Sequence, residues 1–232
     1  AGFQSLDIVD LSADIVRLAN THFADINATV STLAGVHTHI TDGRNFLLLQ
    51  ERAYDLVSME ISSIWFAGAA SLYNREFYQL VKKRLRPDGL LQQWVQLHHI
   101  TPLDLLYILG SVRAEFSHIW LYYIGGQGII VATNDPRRQP ARENFQKLQT
   151  TASFEPLLRQ LDAPYQALAS SILLDPAGTE RVLAAFSAPA SRWVSTDDNL
   201  FLEYSTPKGN VLDGQLSKER NVDLLRKIGG SR

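Results

Sequence analysis

Residues 36–60 read VHTHITDGRNFLLLQERAYDLVSME. Residues 36–41 alternate as a half-buried strand does, residues 44–50 carry a short helix, and residues 54–60 form an apolar run of strand length. Strand, helix and strand in close succession is the unit of a parallel sheet, because parallel neighbours need a crossover. On the N-terminal side, residues 6–11 read as an earlier strand. Residues 13–23 place Ile15, Val16, Leu18, Ala19 and Phe23 on one helical face. On the C-terminal side, residues 74–85 predict a helix with Asn74 at its cap, Glu76 in its first turn and Lys82, Lys83 and Arg84 at its end. Pro87-Asp88-Gly89 predicts a turn and residues 90–97 a strand. Residues 102–116 predict a helix capped by Thr101, and residues 118–124 and 127–133 a hairpin about Gly125-Gly126. The order predicts an α/β fold: a mostly parallel sheet, helices on both faces and an antiparallel edge hairpin.

Residues 134–140 form a charged, proline-containing break. Residues 141–187 read as helices without strands, divided by Pro156, Pro164 and Pro176. Residues 197–204 suit one last strand, and residues 208–232 a polar tail. The expected organisation is therefore an α/β domain over 1–135, a helical segment over 136–194, and a C-terminal strand and tail over 195–232.

Composition narrows the function. The 232 residues are 45% hydrophobic and 20% charged, with a net charge of −2. That is a globular composition with no basic excess, so no nucleic-acid partner is expected. There is no cysteine, which removes thiolate metal sites and cysteine nucleophiles. No apolar run reaches the ~18 residues of a membrane span, and the first residues do not read as a secretory leader. A cytoplasmic setting, or the cytoplasmic side of a membrane protein, is the expectation.

In open α/β sheets, ligands bind beyond the carboxyl ends of the strands. Asp10, Asp42 with Gly43, and Glu60 end three successive predicted strands. One carboxylate can accept from both hydroxyls of a ribose, which makes an acid at such a strand end a nucleoside partner. Asp10 could equally cap the helix at Ala13, and Asp42-Gly43 could equally be a turn. Glu60 differs, because glutamate is a poor turn former and a charge ending an apolar strand is costly unless used or paired. Residues 61–72 form a long loop holding Ser62, Ser63, Trp65, Phe66 and Gly68, of a kind that often gates a substrate. The alternative is a packed hydrophobic loop. His37 and His39 share a strand face but have no third ligand nearby, so no metal is expected. His98-His99 follows the glutamine-bearing strand at the same sheet edge.

Several stretches together resemble the spermidine synthase family. They are Asp42-Gly43-Arg44-Asn45-Phe46-Leu47, Tyr54-Asp55-Leu56-Val57, Glu60 with Ser62 and Trp65-Phe66-Ala67-Gly68, Ala70-Ser71-Leu72-Tyr73, Arg75-Glu76-Phe77-Tyr78, Leu85-Arg86-Pro87-Asp88-Gly89 and Gln93-Trp94. Thr196-Asp197-Asp198 and Leu202-Glu203-Tyr204 are similar to a C-terminal signature of the bacterial spermidine-synthase-like branch, often fused to a multi-span membrane region. The resemblance covers about residues 5–133, and 195–207 more weakly.

The resemblance implies the Rossmann-like fold of class I S-adenosylmethionine-dependent methyltransferases, with the first strand and glycine-rich loop lying upstream of this chain's start. It implies aminopropyl transfer from decarboxylated S-adenosylmethionine to a polyamine acceptor such as putrescine, without a metal, by a homodimer. Residue by residue, it implies that Asp10 holds the ribose hydroxyls and that Asp42, with Gly43, lies beside the adenine. Glu60 takes the place of the catalytic aspartate, and Ser62, Trp65 and Gln93 lie on the amine side. The family's Asp-Ser-Ser-Asp-Pro run reads here Glu60-Ile61-Ser62-Ser63-Ile64, without the second carboxylate and the proline. Two alternatives therefore stand beside aminopropyl transfer: a methyltransferase using S-adenosylmethionine itself, and a non-catalytic domain of a larger, membrane-associated protein.

Overall fold

The computed structural model describes residues 3–61, 63–140, 147, 170–186, 189 and 192–230. The chain divides into two compact units, Ala1–Arg52 and Ala53–Arg232.

In the first unit, β1 (Leu6–Asp10) pairs in parallel with β2 (Val36–Ile40), from Leu6↔Val36 to Asp10↔Ile40. Between them run α1 (Ala13–His22) and the short α2 (Ala24–Asn27). Ser12 starts α1, its side chain accepting from the Ile15 N–H. Asp42 starts α3 (Gly43–Leu49), which buries Phe46 and Leu47. Asp7 on β1 meets His39 at 2.9 Å and Arg52 at 3.2 Å.

The second unit holds a five-stranded sheet in the order β3-β4-β6-β5-β7. Its strands are β3 (Tyr54–Met59), β4 (Leu85–Val95), β5 (His118–Ile124), β6 (Gln127–Thr133) and β7 (Ile172–Leu174). β3 and β4 are parallel, joined through the loop and α4 (Arg75–Arg84). β4 reaches the β5–β6 hairpin through α5 (Pro102–Arg113), whose start is a reciprocal capping box between Thr101 and Asp104. The pairings of β6 with β4 and β5 are antiparallel, as the expected edge hairpin requires. Leu91, Val95, Leu121 and Ile130 on the sheet and Phe77, Tyr78, Val81, Leu105, Ile108 and Leu109 on α4 and α5 form the core. Each such side chain contributes roughly 1.5–3 kcal/mol by leaving water.

Four expectations are corrected. β4 begins at Leu85 rather than at residue 90. The Pro87-Asp88-Gly89 stretch is a bulge inside it, since Tyr54 pairs Leu85 while Leu56 pairs Leu90. Pro87 has no N–H for a ladder, and a Cβ at Gly89 would lie 3.0 Å from the Arg86 carbonyl oxygen, so the chain bends tightly there. Within the segment expected to be wholly helical, Ile172–Leu174 forms β7 against β5. A three-residue apolar run carries no period from which to read a strand. The helical expectations over 141–146 and 148–169 lie outside the described residues.

Residues 197–204 do not form a strand. Thr196 and Asn199 hydrogen-bond each other's backbone N–H groups, Leu200 adopts φ +47°, and α7 (Phe201–Ser205) follows. Such local side-chain bonds compete with an extended chain. The C-terminal stretch is a helix, α8 (Gly214–Gly229), capped by Asp213 and burying Ser217, Asn221, Val222, Leu225 and Gly229. Its inward stripe mixes small and polar residues, which hides the period in the sequence. α6 (Pro176–Ala184) begins at the Asp175 cap. No helix among the described residues is long and apolar enough to cross a membrane.

Candidate functional site

Asp10, Asp42 and Gly43 belong to the first unit and Glu60, Trp65 and Gln93 to the second. In the first unit, Asp10 is the last residue of β1, and its Oδ1 accepts from the Ser12 N–H at 2.7 Å. Asp42 follows β2, and its Oδ1 accepts from the Asn45 N–H at 2.7 Å as the cap of α3. The cap of α1 is thus Ser12 rather than Asp10, and Asp42 is a helix cap rather than part of a turn. Each uses one carboxylate oxygen and leaves the other free to accept from a ligand. Gly43 opens α3, and a Cβ there would meet nothing within 4 Å.

In the second unit, Glu60 stands one residue past β3, exposed and without a bonded partner among the described residues. Met59, just before it, pairs with Gln93 on β4. Ser62 lies outside the described residues. Trp65, partly exposed, meets His98 with ring centroids 6.4 Å apart and His99 at 5.6 Å, both edge-on. The two histidine rings lie 5.3 Å from each other. Burial first, then the nearby charges of His99 and Lys218, lower the His98 imidazole below its ordinary value.

His99 is held in a left-handed conformation at φ +54°. Its N–H donates to the Ser217 hydroxyl at 2.8 Å, and its Nδ1 lies 2.9 Å from the Leu212 carbonyl oxygen. Strained residues of this kind cluster at functional sites when the surroundings over-determine them.

Gln93 is placed differently from the expectation that it faces the amine. It is fully buried. Its Oε1 accepts from the Tyr78 hydroxyl at 2.7 Å, and its Nε2 donates to the Leu72 carbonyl at 3.2 Å. Leu91, Gln93 and Val95 share one strand face and are all sealed from solvent, so the inward position follows from strand parity. Gln93 supports the end of the loop from below. Gln92, on the other face, accepts from the Ser58 hydroxyl instead.

The loop after Glu60 closes into a 3-10 helix over Ala69–Tyr73, and its far end is Asn74, the first residue before α4. Sequence reasoning missed what holds this loop. Asn74 is buried, donates to Asp197 Oδ1 at 3.0 Å and accepts from the Ser195 hydroxyl at 2.7 Å. The Gly68 N–H donates to Glu203 Oε1 at 2.9 Å. These partners come from more than 120 residues away, and only the two C-terminal motifs marked them. No group of three or more metal-binding side chains occurs among the described residues.

The chain is 27% identical over 149 residues to polyamine aminopropyltransferase 2 of Hyperthermus butylicus, a match covering 60% of this chain and 49% of that one. It is 25% identical over 135 residues to polyamine aminopropyltransferase 2 of Pseudomonas aeruginosa, covering 55% and 39% respectively. The chain thus spans half or less of the length of these relatives. Among solved structures, human methyltransferase-like protein 13 in complex with SAH superposes with a TM-score of 0.50 at 18% identity, over 69% of this chain and 72% of that one. That likeness shows the Rossmann-like methyltransferase fold. The Spermine/spermidine synthase domain matches residues 2–124, more than half of the chain. The chain belongs to the spermine/spermidine synthase family.

Proposed function

We propose that the chain carries out aminopropyl transfer from decarboxylated S-adenosylmethionine to a polyamine acceptor. The observation that carries this reading is Glu60, a carboxylate at the carboxyl end of β3 with no bonded partner among the described residues, followed directly by a loop that presents Trp65. An alkylamine has a pKa near ~10 and is protonated at neutral pH, so it cannot attack. A carboxylate binds the ammonium and accepts its proton, or passes it to water. The freed lone pair attacks the propyl carbon bonded to the sulfonium. The C–N bond forms as the C–S bond breaks, and methylthioadenosine leaves neutral. The sulfonium is already a good leaving group, so orientation supplies much of the remaining acceleration.

In this reading Asp10 accepts from the ribose hydroxyls, and Asp42 with the Gly43 backbone receives the adenine edge. Trp65 and Ser62 contact the acceptor chain. Gln93 acts through Leu72. The test is release of methylthioadenosine by the full chain, supplied with decarboxylated S-adenosylmethionine and putrescine. Glu60→Gln should lower turnover by about 10²–10⁴-fold, and an unchanged rate would refute the assignment.

A second reading has a specific motive. Between Glu60 and Glu76 the sequence has no other carboxylate, so a second ammonium has no partner within the loop itself. Methyl transfer from S-adenosylmethionine needs no such partner. Offering both donors side by side separates the two, and preference for the decarboxylated donor supports aminopropyl transfer.

A further inference from the structure

The Thr196-Asp197-Asp198 and Leu202-Glu203-Tyr204 motifs take no part in the reaction just described, yet both lie against the loop that follows Glu60. The far end of the loop is tied by Asn74 to Asp197 and Ser195. The same segment is also fixed to α4, since the Asp197 N–H donates to Glu76 Oε2 and the Arg75 N–H to the Ser195 carbonyl, both at 2.9 Å. The near end passes Thr206, whose buried hydroxyl sits 3.5 Å from the Ile64 carbonyl oxygen while donating to the Leu202 carbonyl. The middle is tied by Glu203 to the Gly68 N–H. Gly68 has φ +83° and opens the 3-10 helix over Ala69–Tyr73. That conformation suits glycine and leaves its N–H outside the helix, in need of an acceptor.

The element that carries Glu203 is itself anchored. Phe201 on α7 stacks face to face on Tyr107 of α5, with ring centroids 3.6 Å apart and planes 7° from parallel. Leu202 is fully buried. α7 is therefore a seated platform, and Glu203 projects from it to the loop three residues beyond Trp65. A hydrogen bond from a backbone N–H to a carboxylate is charge-assisted and stronger than one to a neutral acceptor.

We propose that Glu203 is a positioning residue: its carboxylate holds Gly68, and through it the Trp65 part of the loop, in the arrangement that receives the acceptor. The proposal deepens the aminopropyl-transfer reading and rests on it for its kinetic arm only. Two measurements on the full chain test it. Hydrogen exchange of peptides spanning residues 61–73 reads the tie without any turnover. Acceptor kinetics with putrescine and decarboxylated S-adenosylmethionine read its consequence.

In Glu203→Ala, exchange in the loop should rise about tenfold while exchange in β4 and β6 stays unchanged, consistent with losing one charge-assisted bond. The acceptor KM should rise by a similar factor with kcat little changed. Glu203→Gln keeps an acceptor oxygen and should restore most of both. Unchanged loop exchange in Glu203→Ala overturns the proposal. So does exchange that rises equally throughout the second unit, which marks a general stabilising role. If the parent chain transfers nothing to any acceptor, the functional reading fails, and the exchange data alone decide the tie.

Discussion

The Tyr78 hydroxyl donates to Gln93 Oε1 at 2.7 Å, and both residues are sealed from solvent between α4 and β4. Tyr73 lies beside them and donates to the Trp94 carbonyl at 2.9 Å. Removing the hydroxyl in Tyr78→Phe leaves Gln93 Oε1 buried without a donor. The cost of such an orphan is about 1–3 kcal/mol. Urea denaturation should show a lower midpoint at unchanged slope, because the surface exposed on unfolding is unaltered. Burial raises both phenols above their ordinary value of about 10. Raised folded values mean that the unfolded chain ionises first. The stability these phenols contribute is full below pH about 10 and falls as pH rises above it. Tyr78→Phe should make that alkaline decline shallower.

Much of the first 133 residues is legible because its determinants are local. Thr101 is read as a helix start in the sequence and caps α5 in the structure. The apolar runs of β3, β5 and β6 are strand-length and bounded by turn residues. The C-terminal third is written in long-range contacts instead. Asn221 on α8 matters because its Nδ2 donates to the carbonyls of Leu97 and Ile100, 124 and 121 residues away. No window of sequence contains that pair. In the candidate site, Asp10, Asp42 and Glu60 are readable as strand-end acids. Glu203 is not, because its partner Gly68 is 135 residues distant. Gln93 shows the opposite case, for its shared parity with Leu91 and Val95 was available and pointed inward.

Acid should weaken the second unit through Glu115. Its side chain is nearly buried, which pushes its carboxyl up, but hydrogen bonds from Arg75, Gln79 and Lys82 outweigh burial and hold it below its ordinary value. A depressed folded value contributes stability above the unfolded pKa near 4.3, and this is lost as pH falls through the lower folded value. Asp135, held at about 2 by the Arg137 side chain and backbone, extends the loss to lower pH. Denaturation midpoints measured from pH 6 down to pH 2 should fall steadily. Glu115→Gln should flatten the upper part of that fall and leave the lower part, which belongs to Asp135.

The His98 imidazole should titrate below the ordinary histidine value, through burial first and then the charges of His99 and Lys218. Proton NMR of the ring reads it directly. Lys218→Met removes one of the two repelling charges and should move the titration up. A His98 titration that ignores Lys218 would leave burial and the His99 charge as its causes.

Gly209 and His99 make the sharpest steric test of how the C-terminal segment meets the loop after β4. A Cβ built at Gly209 would lie 1.8 Å from the His99 carbonyl oxygen and 2.7 Å from its carbonyl carbon. The obstacle is backbone, so no rotamer change relieves it. The His99 backbone is already held at φ +54° by the Ser217 hydroxyl, and its ring by the Leu212 carbonyl. Gly209→Ala must therefore move the 3-10 helix over Thr206–Val211 or the histidine pair, at a cost of roughly 1–3 kcal/mol or more. Trp65 packs edge-on against both histidines, so the displacement should reach it. A change in Trp65 emission, in a chain whose far-ultraviolet circular dichroism is unchanged, is the expected signature. Asn74→Ala offers the contrast. It removes the ties to Asp197 and Ser195 and should cost a comparable amount, about 1–3 kcal/mol. It should leave the His98-His99 rings in place, because those ties hold the loop at its other end.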